Sequence, residues 1–296
     1  MAAETDIRAH KLVHGCMGLG GGWDTEPYTA EDVQHAETAI EAALAAGITA
    51  FDHPDIYRYG KSEAVFGEVL ARSHGLRERI VLQTKCGIRL PDGGRPGHYD
   101  LRGASILRRV EESLVRLRTD VLDVLLLHRP DPLADPVEIA EALTALHAQG
   151  LVRQFGVSNM SGSQIAALQA HVDVPLVVNQ LEMSLAQRDR LEAGVLFNTP
   201  DATRNGFTTG TLECCAANGV RLQAWGSAPP APSASAPAGT RSPASRTSRT
   251  RSGTSCGSPH AAPHCPERSR RTPACPGPPV VRPRPRSRGP HGAPPR

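Results

Sequence analysis

The sequence predicts an α/β chain: a (β/α)8 barrel that stops short of its last strand–helix unit, followed by a tail of different character. Three observations carry this reading. Seven short apolar runs alternate with amphipathic helical patterns at intervals of about 25–40 residues, the rhythm of a parallel sheet with helices outside it. Polar residues (Asp52, Lys85, His128, Asn159 and Gln180) fall at or just past the ends of five successive runs. In a barrel, strand ends converge on one mouth. The glycines after the first run read GLGGGWD, with no G-x-G-x-x-G, so the dinucleotide fingerprint of a doubly wound sheet is missing.

The strand-like runs are KLVHGCMGLG, GITAFDH, RIVLQTK, VLDVLLLH, LVRQFGVSN, PLVVNQ and VRLQAW. The continuous apolar character of VLDVLLLH suits a strand buried on both faces. The helices between them carry their own end signals. Thr29 and Asp32 cap AEDVQHAETAIEAALAA, and Gly47 closes it. Asp135, Pro136 and Glu138 predict a capping box with proline at the first helical position, ended by Gly150; Ser161 and Gln164 predict a second box. Ile106, Leu107, Val110, Leu114 and Leu117 mark a helix from about Ala104 to Arg118.

Composition changes sharply at residue 226. Residues 1–225 hold 21 Lys+Arg and 29 Asp+Glu, whereas 226–296 hold 12 Arg and one acid, Glu267. That second segment has 17 of the 26 prolines and no Leu, Ile, Phe, Met, Trp or Tyr. It lacks the apolar surface needed to offset the entropy of ordering, so it reads as a disordered tail and 1–225 as the folded domain. The tail replaces the expected eighth strand. A barrel without it leaves strands one and seven with unpaired edges. Ala, Pro, Arg, Gly, Ser and Thr are what a GC-rich gene yields out of frame, which makes a frameshift near the codon for Trp225 the expectation. Within the tail, Cys256, His260, His264 and Cys265 match no common zinc spacing, so no metal site is expected. PVVRPRPRSRGP offers a PxxP ligand or a polyanion-binding arm; without aromatics among its arginines it gives no support to specific nucleic-acid recognition.

The opening MAAETDIRAHKL is polar, and no apolar run approaches the roughly 18 residues of a membrane span. The seven cysteines show no framework spacing, which fits a reducing, cytoplasmic setting. Cys214 and Cys215 sit in a helical pattern and read as small buried side chains; His53, His98 and His147 read as structural, and GLGGG as a tight turn.

Four polar residues suggest chemistry. Asp52 ends a strand, Tyr57 follows on a loop stiffened by Pro54, and Lys85 and His128 end the next two apolar runs. A lysine there needs a partner, and Asp52 supplies one. The Lys85 ammonium is then expected to lower the Tyr57 phenol from its ordinary value near ~10. Neutral His128 would hold a carbonyl oxygen beside Tyr57, completing a proton donor for an oxygen that gains charge.

On these residues, together with FDHPDIY, LQTKCGI, HRPDPL and FGVSN, the sequence resembles the aldo-keto reductase superfamily from about Lys11 to Trp225. The resemblance implies that Asp52, Tyr57, Lys85 and His128 are the catalytic tetrad. It implies that Ser158, Asn159 and Gln180 hold the nicotinamide carboxamide of NADP(H) and that Trp225 stacks on the ring. The implied reaction is NADPH-dependent reduction of a small aldehyde or ketone. Two alternatives remain: a silent barrel serving as a binding or regulatory subunit, and a barrel carrying a polyanion-binding tail. The substrate and the oligomeric state are not written in the sequence.

Overall fold

The computed structural model describes residues 5–205 and 207–227. The tail, including the four Cys and His positions named above, lies outside the described residues.

Seven parallel strands form one sheet: β1 (His14–Gly15), β2 (Ala50–Asp52), β3 (Val81–Cys86), β6 (Leu122–Leu127), β7 (Val152–Ser158), β8 (Leu176–Glu182) and β9 (Arg221–Trp225), hydrogen-bonded in that order. A separate antiparallel hairpin, β4 (Ile88–Arg89) with β5 (His98–Tyr99), follows β3. The helices are α1 (Ala30–Ala45), α2 (Lys61–Arg72), α3 (Gly103–Leu117), α4 (Pro136–Ala148), α5 (Gly162–Gln169), α6 (Asp189–Val195), α7 (Ala202–Asn205) and α8 (Thr211–Ala217). Among the described residues, none is long and apolar enough to cross a membrane.

The sheet curls on itself. Gln83 on β3 and Gln223 on β9 stand four places apart in strand order, yet their amides bond at 3.1 Å. Asp52 on β2 and Gln180 on β8 are also four places apart and meet at 3.2 Å. Only a sheet curved into a barrel wall brings such positions together. Among the described residues, no further strand pairs with the outer edge of β1 or β9.

Strand alternation sorts the core into two layers. Leu82, Leu125, Leu127 and Phe155 point outward and pack with helix residues such as Val65, Ile106 and Leu143. Ala50, Val81, Val124, Leu126 and Val178 point inward and close over Ile7, which is fully buried. Ile7 belongs to a 3-10 turn at the N-terminal ends of the strands, held by Gln154 Oε1 (3.1 Å from the Ile7 amide) and by Arg221, which donates to the Arg8 carbonyl at 2.7 Å. The opposite end of the strands is left to polar side chains.

The helix starts follow the sequence, with one correction. Thr29 with Asp32 and Ser161 with Gln164 form complete capping boxes. Asp135 caps α4 through the Val137 amide, but Glu138 does not return to close a box. It reaches across to the first turn of α3, where it accepts from the Gly103 amide at 2.8 Å. A tertiary donor outcompetes the local one.

Candidate active site

β3 sets the geometry. Val81 belongs to the inner layer and Leu82 to the outer, so Gln83 and Lys85 face inward. Lys85 is 1% exposed. Its ammonium donates to Asp52 Oδ1 at 2.6 Å, to Asp52 Oδ2 and to the His53 carbonyl at 3.0 Å. Asp52 also accepts from Gln83 Nε2 at 2.7 Å and from Gln180 Nε2 at 3.2 Å. A buried ion pair survives only with such additional bonds.

Tyr57 begins a 3-10 turn beyond β2, and its ring centre lies 5.6 Å from Lys85 Nζ. The electrostatic expectation for this residue is reversed. Burial first, then the neighbouring Asp52 and Cys16, push the phenol above its ordinary value. Desolvation is the largest cause, and the three N–H groups of Lys85 are committed to Asp52 and a backbone carbonyl rather than to the phenol oxygen. Tyr57 is therefore held protonated, the state a proton donor needs.

His128 follows β6, with its amide donating to the Cys86 carbonyl at 2.8 Å. Burial, then Lys85 and Arg129, lower its imidazole to about 3, so the ring is neutral at ordinary pH. Its Nδ1 is buried without a partner among the described residues.

A second cluster adjoins the first. Asn159, just past β7, adopts a left-handed φ of 59°. Its Nδ2 donates to Ser158 Oγ at 2.8 Å, and its Oδ1 accepts from Trp225 Nε1 at 3.2 Å. Ser158 Oγ donates to the Gln180 carbonyl at 3.0 Å. Gln180 lies two residues inside the end of β8, not at its tip, and its amide joins the two clusters by donating to Asp52 and to Gln223 Oε1. All eight residues singled out in the sequence thus stand on this end of the barrel wall.

The sequence reading missed four neighbours. Gln83 and Gln223 lie two residues before Lys85 and Trp225, so the period-two rule places each on the same inner face. Trp23, from the glycine-rich loop, stands edge-on to Tyr57 at 6.3 Å, with the Arg58 guanidinium 5.2 Å over its own ring; no periodicity announces a loop residue. Cys16 is fully buried near Asp52 and Tyr57. The histidines read as structural have other surroundings: His53 packs edge-on against Phe66, His147 bonds the Val152 carbonyl, and His98 lies exposed on the hairpin. Cys215 is buried and Cys214 half-buried in α8.

Comparison with known proteins identifies the family. Residues 11–228 match the Aldo/keto reductase family profile. The chain is 42% identical over 195 residues to the uncharacterized oxidoreductase YcsN of Bacillus subtilis, covering 64% of this chain and 63% of the relative. It is 40% identical over 200 residues to 6-dehydroglucose reductase of Agrobacterium fabrum, covering 66% and 65%. The match thus spans just under two thirds of the length of these relatives. Among solved structures, glycerol dehydrogenase AKR11B4 from Gluconobacter oxydans superimposes with a TM-score of 0.56 at 27% identity, covering 72% of this chain and 58% of that one. An aldo/keto reductase from Klebsiella pneumoniae in complex with NADP and acetate gives 0.54 at 27% identity, covering 72% and 62%. With the family profile matched over residues 11–228 and the parallel barrel wall in place, the chain belongs to the aldo/keto reductase family.

Proposed function

We propose that this chain reduces a small aldehyde or ketone to the alcohol with NADPH. The observation that carries the reading is the buried Asp52–Lys85 pair set beneath a protonated Tyr57, with neutral His128 on the neighbouring strand end. The carbonyl oxygen of a substrate accepts a hydrogen bond from His128 and the proton of Tyr57 as it gains charge. Lys85 and Asp52 act behind Tyr57, keeping the pocket's local field fixed rather than ionising the phenol.

The second cluster fits the nicotinamide end of the cofactor. A carboxamide needs a donor and an acceptor beside a flat apolar face. Ser158 and Asn159 supply the polar groups and the half-buried Trp225 indole supplies the face. The bound cofactor supplies the hydride. Gln180, engaged with Asp52, ties this subsite to the catalytic one. Among structural neighbours, two Klebsiella pneumoniae reductases are complexes with NADP or NADPH, which supports the choice of cofactor.

Aldehyde-dependent oxidation of NADPH by the purified chain tests the reading, with Tyr57→Phe as the control. Absence of turnover in the unmodified chain overturns it. One observation favours a second reading, a catalytically silent barrel that binds: the outer edges of β1 and β9 have no strand partner among the described residues, so the wall around the site is incomplete there. Saturable NADPH binding without aldehyde-dependent oxidation is the result that selects it.

A further inference from the structure

Outside the barrel wall, directly behind Tyr57 and Lys85, lies a group of charges that the proposed chemistry does not use. The side chains of Asp55 and Glu63 are completely buried. Arg109 Nε on α3 donates to Asp55 Oδ2 at 2.6 Å, and Arg116 Nε, two helical turns further on, donates to Glu63 Oε2 at 2.7 Å. Glu112 stands between the two arginines on the same face and accepts from Arg109 at 2.6 Å. Buried ion pairs of this kind contribute little net stability compared with apolar packing, so their placement calls for another account.

That account lies in what the two carboxylates flank. Residues 55 to 63 carry Tyr57, and their interior is strained at two non-glycine positions: φ is 51° at Arg58 and 59° at Tyr59. Non-glycine residues keep such angles only where the surroundings over-determine them. Asp55 fixes the segment at one end, and its amide also donates to the Lys85 carbonyl at 3.0 Å. Glu63 fixes it at the other, and its Oε1 accepts from Thr84 Oγ1, next to Lys85, at 2.6 Å. Each carboxylate therefore grips α3 with its side chain and β3 directly, one through its backbone and one through a side chain. Asp55 Oδ1 remains buried without a partner among the described residues, and burial raises this carboxyl to about 7 against the pull of Arg109. Only one side of Asp55 is satisfied, and that side faces α3.

We propose that Asp55 and Glu63, through Arg109 and Arg116, are positioning residues that clamp the strained Tyr57 segment and the Lys85 strand end to α3. The proposal rests on the reductase reading for its catalytic consequence and on geometry alone for its structural one.

The test uses the full chain and the variants Arg109→Met, Arg109→Lys and the double variant Asp55→Asn/Arg109→Met. Displacing a catalytic group by about an ångström costs on the order of 10²-fold. Arg109→Met is expected to lower kcat about tenfold or more while the aldehyde KM stays within about twofold. Arg109→Lys, which keeps the charge, restores at least about a third of kcat. Amide exchange read by mass spectrometry should accelerate about tenfold in a peptide spanning residues 51–60 and stay unchanged in peptides from β7 and β8, the signature of a local opening. If Arg109→Met does not fold, the double variant, which leaves no unpaired buried charge, is held to the same two readouts. A kcat within twofold of the unmodified chain overturns the proposal. So does exchange that is unchanged in residues 51–60, or that rises equally in β7 and β8. If the unmodified chain shows no turnover, the reductase reading fails and the exchange result alone decides the clamp.

Discussion

The Lys85 ammonium lies 5.6 Å from the centre of the Tyr57 ring, with its own donors committed to Asp52 and the His53 carbonyl. Burial raises the Tyr57 phenol and keeps it protonated, and in the proposed reaction that hydroxyl is the proton donor. Tyr57→Phe keeps the ring and removes the proton. Turnover should fall by about 10²–10⁴-fold, the range for a lost general acid. The ring's contact with Trp23 remains, so NADPH affinity should change by less than about twofold. A steady-state assay paired with a fluorescence titration of NADPH checks both halves, and retention of wild-type kcat sinks the role.

Asp52 and Lys85 are not equivalent partners. Removing Lys85 leaves the Asp52 carboxylate still bonded to the amides of Gln83 and Gln180. Removing Asp52 leaves a fully buried ammonium with one backbone carbonyl, and it takes one of two acceptors from each amide, leaving both with Gln223 Oε1. Breaking a buried pair costs about 3–5 kcal/mol, and the hydrogen bond lost by each amide adds about 0.5–1.5 kcal/mol. Asp52→Ala should therefore destabilise the fold by at least ~1 kcal/mol more than Lys85→Met. Urea midpoints of the two variants decide the order; equal values would show that the amides carry none of the load.

The barrel was legible because its signals are local and repeated. Asp52, Lys85 and His128 each end an apolar run, and a polar residue in that position declares itself. What the sequence hid depends on contacts across the fold. Glu138 has a local capping role available and abandons it for the Gly103 amide, 35 residues away. The direction of the Tyr57 shift was hidden because it is set first by burial, which depends on how the loop packs against the barrel and which no local sequence pattern displays. The β4–β5 hairpin escaped notice because each strand has only two residues and PDGGRPG between them reads as loop. Gln83 and Gln223 are an intermediate case: their face was predictable, their mutual contact was not.

Gly156 on β7 sits where the wall is tightest. A Cβ there would lie 2.7 Å from Leu126 Cδ2 and 2.7 Å from the Val178 carbonyl, on the strands to either side. Leu126 can shift, but the backbone of β8 cannot without disturbing Gln180 two residues on. Gly156→Ala should cost about 1–3 kcal/mol, the usual range for overpacking a filled core. It should also weaken NADPH binding, because β8 carries the residue that joins the two clusters. A denaturant midpoint within experimental error of the unmodified chain would contradict the crowding.

Two buried histidines give the fold a pH dependence whose sign follows from their environment. Burial, then Lys85, lowers both His53 and His128 to about 3, against an ordinary value of 6.5. Among the described residues the His53 ring hydrogen-bonds Ser62 Oγ, at 3.3 Å, and its Nε2 has no partner. Above the unfolded value both states hold neutral imidazole, and the contribution to stability is fully present. As pH falls below 6.5 the unfolded chain takes up protons that the folded one refuses, so stability is lost progressively until the folded value is reached. Asp55 opposes this. Its folded value of about 7 exceeds the ordinary 3.8, so the native state binds a proton first and gains stability as pH falls through that interval. His53 and His128 against Asp55 leave a net loss of about one proton's worth, on the order of 2 kcal/mol between pH 7 and pH 5, and His14, also lowered by burial, adds to it in the same direction. Replacing His53 with Gln should remove one of these contributions and flatten the profile. Urea unfolding of both chains at the two pH values measures the difference directly, and an unchanged slope in His53→Gln would assign the acid sensitivity to other groups.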